Sequence, residues 1–292
     1  MAKEPIVFQA NPIIESRRNF DITETRIFYL GLRDVVPRLT DKPFDGSMND
    51  FPTTHIEPQK LIELFGNNRF YTTLSDICDK LAEKTIRIKR ADDKGFAVYP
   101  VFLKLEYVQG DGLTLVFNPY MKPFLLDLKD KPFTKLPFEQ VWALRSSYSI
   151  RLFELLLQYA NTKTHERTLT IEEIRQFLGV PDDCYTDRTN NFRRFIVDKC
   201  VKDINKATAY KVEVEPVKEK RKTIAYKFTL HLPAEVKKQK AKAQIKDIQN
   251  LINGMADDKA MTPQEEKPTI SEEQRAKNQK RLKELMGNIK GM

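Results

Sequence analysis

Residues 190–205, NNFRRFIVDKCVKDIN, place Phe192, Ile196 and Cys200 at every fourth position, and Val197, Val201 and Ile204 widen the stripe. That spacing predicts a helix with one core-facing side. Arg188, Asn191, Phe195, Asp198 and Lys202 fall on the other side, with Arg194 beside them. A merely solvated face has no need of an aromatic ring among arginines. Two longer apolar-periodic stretches, DITETRIFYLGLRDV (21–35) and SSYSIRLFELLLQYA (146–160), predict further helices, the first opening with Asp21 and Glu24 at capping-box spacing.

The same construction occurs twice. IEPQKLIELFG (56–66) and LTIEEIRQFLG (169–179) each predict a short helix that stops at a glycine suited to a left-handed end. In the second, Thr170 and Glu173 form a capping box, and Leu169 and Ile174 stand at the positions of a hydrophobic staple. In the first, Pro58 suits the first helical position, and Ile56 and Leu61 take the staple positions. The offset between the copies is 113 residues throughout. Beyond the glycine, ICDKLAEKT (77–85) matches CVKDINKAT (200–208) at an offset of 123, the difference being the ten residues PDDCYTDRTN. Alternating patterns then predict strands: TIRIKR and LTLVFN in the first copy, YKVEVEPV and TIAYKFTLHL in the second. Helix, helix, turn, helix and a two-stranded hairpin is the order of a winged helix-turn-helix. The fold class expected is α+β: two tandem winged helix-turn-helix domains related by pseudo-symmetry.

After Phe228 the sequence contains no aromatic residue. Residues 234–292 alternate weakly helical and mixed-charge stretches, and their composition predicts a flexible, partly helical C-terminal tail. The boundaries expected are an N-terminal winged-helix domain over 1–135, a C-terminal one over 136–233, and the charged tail over 234–292.

Charge narrows the partner. The 292 residues carry a formal charge of +9 and a pI near 9.2, which favours an anionic partner, nucleic acid first and an acidic membrane surface second. Cys78, Cys184 and Cys200 form no C-x-x-C pair, as expected in a reducing compartment. The N-terminal residues show no secretory pattern, and the longest apolar run, LFELLLQYA, is too short to span a bilayer. A cytoplasmic protein without membrane contact is expected.

Catalytic signatures are missing where they would be easiest to see. There is no G-x-x-x-x-G-K-[ST] loop, and His55, His165 and His231 are isolated, so no metal site and no cofactor is expected. Tyr185, in DDCYTD, lacks metal ligands or an activating base nearby, which argues against a rolling-circle nicking enzyme. Asp182, Asp183 and Asp187 suit the positive end of the helix that follows.

A helix-turn-helix lays its second helix in the major groove, N-terminal part nearest the base edges. In the second copy that part carries Arg188, Asn191, Arg193 and Arg194, with Lys202 further along. Arginine can donate twice to guanine, and asparagine can pair with adenine. Two roles stay open for Phe195, contact with a thymine methyl or bracing of the hairpin, and two for Arg193, DNA contact or packing. The hairpin loop PVKEKRKT adds Lys218, Lys220, Arg221 and Lys222, placed to meet phosphates along a groove edge. The first copy offers less: Asn67, Asn68, Arg69, Tyr71, Thr72 and Thr73 begin its reading helix, Lys80 and Lys84 follow, and its loop ADDKGFA balances acid against base. Arg69, Tyr71 and Lys80 are its candidates.

With these residues in view, the sequence resembles the iteron-binding replication initiators of theta-replicating bacterial plasmids. The resemblance lies in SSYSIRLFELLLQY, LTIEEIRQFLGV, CYTDRTNNFRRFIVDKCVKDIN and YKVEVEPVKEKRKTIAYKFTLHL, with NPIIESRRNFDITETRIFYLGL similar to the family's opening segment. It covers residues 6–232 and is strongest over 146–232. It implies a protein that binds double-stranded DNA at directly repeated origin sites, recruits host replication proteins such as a helicase or initiator, and performs no covalent chemistry. It also implies a monomer–dimer equilibrium, the dimer forming largely through the first unit and repressing the protein's own promoter. A transcriptional regulator with the same modules and no role in replication is the alternative.

Overall fold

In a computed structural model, residues 5–33, 35, 53–66, 70–90, 94–129, 131–181, 183–185 and 189–234 are described. The chain divides into two units, 1–231 and 232–292. The tail from 235 on, and with it the helical and flexible character expected there, lies outside the described residues, as does most of the 40–54 loop.

Chain order in the first half begins with β1 (Ile6–Ala10), α1 (Asn11–Ile14) and α2 (Ile22–Arg33). The start of α2 is the expected capping box: the Asp21 N–H donates to Glu24 Oε2 and the Glu24 N–H to Asp21 Oδ1, each at 2.8 Å. Next come β2 (Thr54–Ile56), α3 (Pro58–Phe65) and α4 (Tyr71–Ala82). Gly66 ends α3 at φ 75, donating to Ile62 O. Four strands follow: β3 (Thr85–Lys89), β4 (Phe96–Pro100), β5 (Phe102–Val108) and β6 (Gly112–Phe117). Ile27, Phe28, Leu61, Leu74, Ile77, Leu81, Leu113, Leu115 and Phe117 form the core. Gly31 lets α2 lie close against β6, since a Cβ there would stand 2.9 Å from the Phe117 ring.

Strand pairing in this half departs from the sequence expectation. TIRIKR and LTLVFN do not pair with each other. The first is β3 and pairs antiparallel with β4, while the second is β6, in a sheet of order β2-β6-β5. The β3–β4 hairpin is an insertion between reading helix and wing, and the wing is β5–β6. Short strands β2, β4 and β5 escaped notice because period-two patterns of three to seven residues compete poorly with the helices around them.

The connection to the second half contains α5 (Lys122–Leu125), β7 (Phe133–Pro137), which pairs with β1, and α6 (Phe138–Trp142). The second half comprises α7 (Ser147–Leu157), β8 (Glu166–Thr170), α8 (Ile171–Leu178), α9 (Thr189–Phe192), a π-helical turn (Arg193–Val197), α10 (Asp198–Ala207), β9 (Lys211–Glu219) and β10 (Lys222–His231). Thr170 caps α8 with both capping-box bonds present, and Gly179 ends it at φ 74. The sheet order β8-β10-β9 matches β2-β6-β5, with β2 falling at the repeat offset from β8. Two winged helices in one chain are thus present, the first carrying an extra hairpin.

Polar groups buried at the junction fix the two halves to each other. Glu154, on α7, accepts from Arg18 and Arg151, and from the Tyr29 hydroxyl at 2.5 Å. Arg151 also donates to Ile14 O at 2.6 Å, Ser16 O at 2.7 Å and Phe177 O at 3.1 Å. All four side chains are buried. Burial, with Arg18 beside it, pulls the Arg151 guanidinium down to about 10, against the upward pull of Glu154.

Candidate nucleic-acid interface

The 189–207 helix is held at its start from below. Arg175, on α8, donates to Pro181 O and Tyr185 O, both at 3.1 Å, and its guanidinium lies 4.8 Å from the ring centre of buried Phe192. One side chain therefore ties together the first helix of the pair, the turn and the reading helix. At the far end Asn205 fastens the hairpin: it donates to Val212 O at 2.9 Å and accepts from the Val212 N–H at 2.6 Å.

Between these anchors the helix buries Phe192, Ile196, Val197, Cys200 and Ile204, the stripe expected from the sequence except for Val201, which is half-buried. Burial pushes the Cys200 thiol up to about 12, the behaviour of a core residue. The π-helical turn was not foreseen. It winds one more residue into the turn, so the outer face beyond it is shifted from a regular α-helical wheel. Asp198, expected on the reading face, is half-buried, and its Oδ1 lies 3.4 Å from Arg193 Nε. Lys199, Lys202 and Lys206 are exposed instead, with Asn191, Arg194 and Phe195 ahead of them. Lys199 and Lys206 are basic positions that the sequence reading did not single out, although they stand four and eleven residues beyond Phe195, on its side of a regular wheel.

Of the two roles left open for Arg193, the contacts described are packing contacts. Besides Asp198 it faces Tyr226 on β10, whose hydroxyl burial pushes up and Arg193 pulls down. The ring contacts described for Phe195 are with Tyr185 and Arg194. Phe195 is 44% exposed and stacks on Tyr185, itself 40% exposed, with ring centres 5.7 Å apart and planes 23° apart. Arg194 lies over the same Phe195 ring at 5.4 Å. Arg188, Asp182 and Asp187 lie outside the described residues.

The wing is longer and tighter than the expected loop PVKEKRKT. Strands run up to Glu219 and from Lys222, leaving Lys220 and Arg221 as a two-residue tip with Lys220 at φ 55. Lys218, Lys220, Arg221 and Lys222 are all exposed. A narrow strand pair tipped by cations can enter or follow a groove.

Among its described residues the first module carries no comparable surface. Tyr71 is 61% exposed and Lys80 is exposed, but Asp76, Asp79 and Glu83 share that side of α4. Lys84 is engaged internally, its Nζ 3.0 Å from Glu24 and 2.7 Å from Asn19 O. The wing tip here is Gln109, Gly110 and Asp111, held by His55 Nε2 at 2.9 Å from Asp111 O. Gly112, at φ 130, passes so close to β2 that a Cβ would meet Ile56 O at 2.3 Å. Asn67, Asn68 and Arg69 lie outside the described residues. A cleft of about 810 Å³ between the 12–17 segment, β3 and α8 mixes Arg17, Arg87 and Lys89 with Glu15, Glu172 and Glu173, a poor match for a phosphate. Among the described residues no group of His, Cys, Asp and Glu is placed to hold a metal ion, and no helix is long and apolar enough to cross a membrane.

Comparison with known proteins follows the same division. The family described as Initiator Replication protein, WH1, matches residues 6–157, and that described as Initiator Rep protein, WH2, matches 170–230. A replication initiation protein of Escherichia coli is 24% identical over 215 residues, covering 73% of this chain and 66% of the relative. The crystal structure of the Pi initiator protein in complex with iteron DNA superposes with a TM-score of 0.60 at 18% identity, covering 80% of this chain and 99% of that one.

Proposed function

This chain belongs to the initiator replication protein family, WH1 followed by WH2, and from that premise we propose that it initiates plasmid replication by binding directly repeated duplex sites at the origin. The observation that carries the reading is the concentration of exposed cations and amide donors on one helix and one hairpin of the second module. Asn191 and Arg194 at the helix start are placed to read base edges, and Lys199, Lys202 and Lys206 to follow the backbone. Lys218, Lys220, Arg221 and Lys222 hold phosphates from the wing and release counterions. Arg188, Arg69, Tyr71 and Lys80 complete the set of candidate contacts.

On this reading the protein does no covalent work and needs no cofactor. Part of its binding free energy goes into bending or unwinding A·T-rich DNA, a cost of a few kcal/mol. Host replication proteins are then recruited to the deformed origin. A dimer formed through the first module represses the promoter, which suits a module whose own reading helix is rich in carboxylates. A minimal replicon carrying this gene and its flanking DNA tests the reading. Autonomous maintenance, with footprints on tandem short motifs, is expected. Binding and repression without maintenance in any host would make the protein a transcriptional regulator.

A further inference from the structure

We propose that Tyr185 and Phe195 form a rigid aromatic ledge that reads thymine by its C5-methyl group, giving this protein its sequence preference at one or two base pairs. The inference rests on the duplex-binding reading above and adds a specificity element to it.

Single exposed aromatic rings are ordinary, but this pair is built. Tyr185 and Phe195 stack nearly parallel at the start of the reading helix, where a helix-turn-helix meets base edges. Tyr185 adopts φ 57, a conformation that non-glycine residues pay for in steric crowding. Its carbonyl is gripped by Arg175, whose guanidinium covers Phe192 at the helix root. Strain and a dedicated clamp thus hold two apolar faces in water, an arrangement that core packing does not require.

Major-groove chemistry supplies the partner. Among the groups that base pairs present there, the thymine methyl alone is apolar, and a phenyl ring is a suitable contact for it. Asn191 and Arg194 are exposed four residues and one residue before Phe195, and Arg194 lies over its ring, so hydrogen-bond readers and an apolar reader share one end of the helix. With Tyr185 stacked on it and Arg194 over it, Phe195 is not the thin free-standing ring that a wedge between base steps requires.

The test begins with the full chain and a pool of random duplexes, which yields the site it reads wherever that site occurs. Each thymine of the enriched site is then replaced by deoxyuridine. Loss of the methyl at one or two positions should lower wild-type affinity about threefold to tenfold. Phe195→Ala should lower affinity for the unmodified site by a similar factor, leave binding to scrambled duplex unchanged, and be insensitive to deoxyuridine at those positions. Tyr185→Gly separates function from folding, because glycine adopts the left-handed backbone freely. It should melt at the same temperature as wild type or higher while losing thymine discrimination, and Tyr185→Phe should keep both. Wild-type binding indifferent to every deoxyuridine, or losses in Phe195→Ala that simply add to those of the missing methyl, would overturn the ledge. An enriched site that is absent as tandem copies beside the gene would instead count against the origin-binding role and still permit the ledge to be tested.

Discussion

Arg193 and Arg194 are neighbours with opposite surroundings, and the difference sets what each substitution does. Arg194 is exposed at the outer edge of the helix, so Arg194→Ala should weaken binding to the specific site by about 1–3 kcal/mol when it makes a bidentate base contact. Arg193 lies half-buried, paired with Asp198 and facing Tyr226. Arg193→Ala should cost little specific affinity, and a titration of both variants against specific and scrambled duplex would separate the two. On the regular wheel Arg193 fell inside the apolar arc, so its packing contacts were half visible in the sequence. The π-helical turn was not, because nothing in RRFIV distinguishes it from an α-helical turn. Lys199 and Lys206, four and eleven residues beyond Phe195, were legible as part of its face and passed over, while Phe192, Ile196, Cys200 and Ile204 were read correctly.

Caps and turns are where elements announce themselves in sequence, and here they announced most of the architecture. Thr170 with Glu173, Asp21 with Glu24, and the glycines at 66 and 179 all have the geometry their positions imply. Equivalent glycines are nevertheless not equivalent in cost. Gly66 sits at φ 75 with open space around its missing Cβ, so Gly66→Ala should cost only left-handed strain, roughly 1–2 kcal/mol. At Gly179 the Cβ would lie 2.7 Å from Arg18 O, so Gly179→Ala should lose about 1–3 kcal/mol more through displaced backbone. Urea midpoints of the two variants would check the order. Strand pairing was less legible, since period-two patterns fix a face but not a partner, and the inserted β3–β4 hairpin looked like half of a wing. The second wing supports a separate expectation. Replacing Lys220 and Arg221 by alanine should reduce the slope of log K against log salt by about 1.8 if both touch phosphate, with proportional loss on specific and scrambled DNA.

At the scale of the whole molecule, stability and DNA geometry meet at Glu154. Residues from the N-terminal segment (Arg18), α2 (Tyr29) and α7 (Arg151) converge on its carboxylate, across separations of 136, 125 and 3 residues. No local pattern could have revealed this, because each partner reads by itself as a polar interruption in an apolar helix or loop. Removing the carboxylate leaves two buried guanidinium groups without their shared counter-charge, a change that typically costs 3–5 kcal/mol. Glu154→Ala should therefore destabilise the 1–231 unit by about that much, whereas Tyr29→Phe, which removes one donor and keeps both ion pairs, should cost about 1–3 kcal/mol. Trp142 is the protein's only tryptophan and lies on α6, between the modules in sequence, so its fluorescence can be compared with far-UV circular dichroism in urea. Coincident transitions are expected in the wild type, since the junction couples both winged helices. A Glu154→Ala protein that stays folded but loses this coincidence would show the modules melting separately. Its binding to repeated sites should fall more than its binding to scrambled duplex, because the two modules would no longer reach the DNA in a fixed relation and the gain from linkage would shrink. An unchanged urea profile in Glu154→Ala would remove the buried cluster as the tie between the two halves.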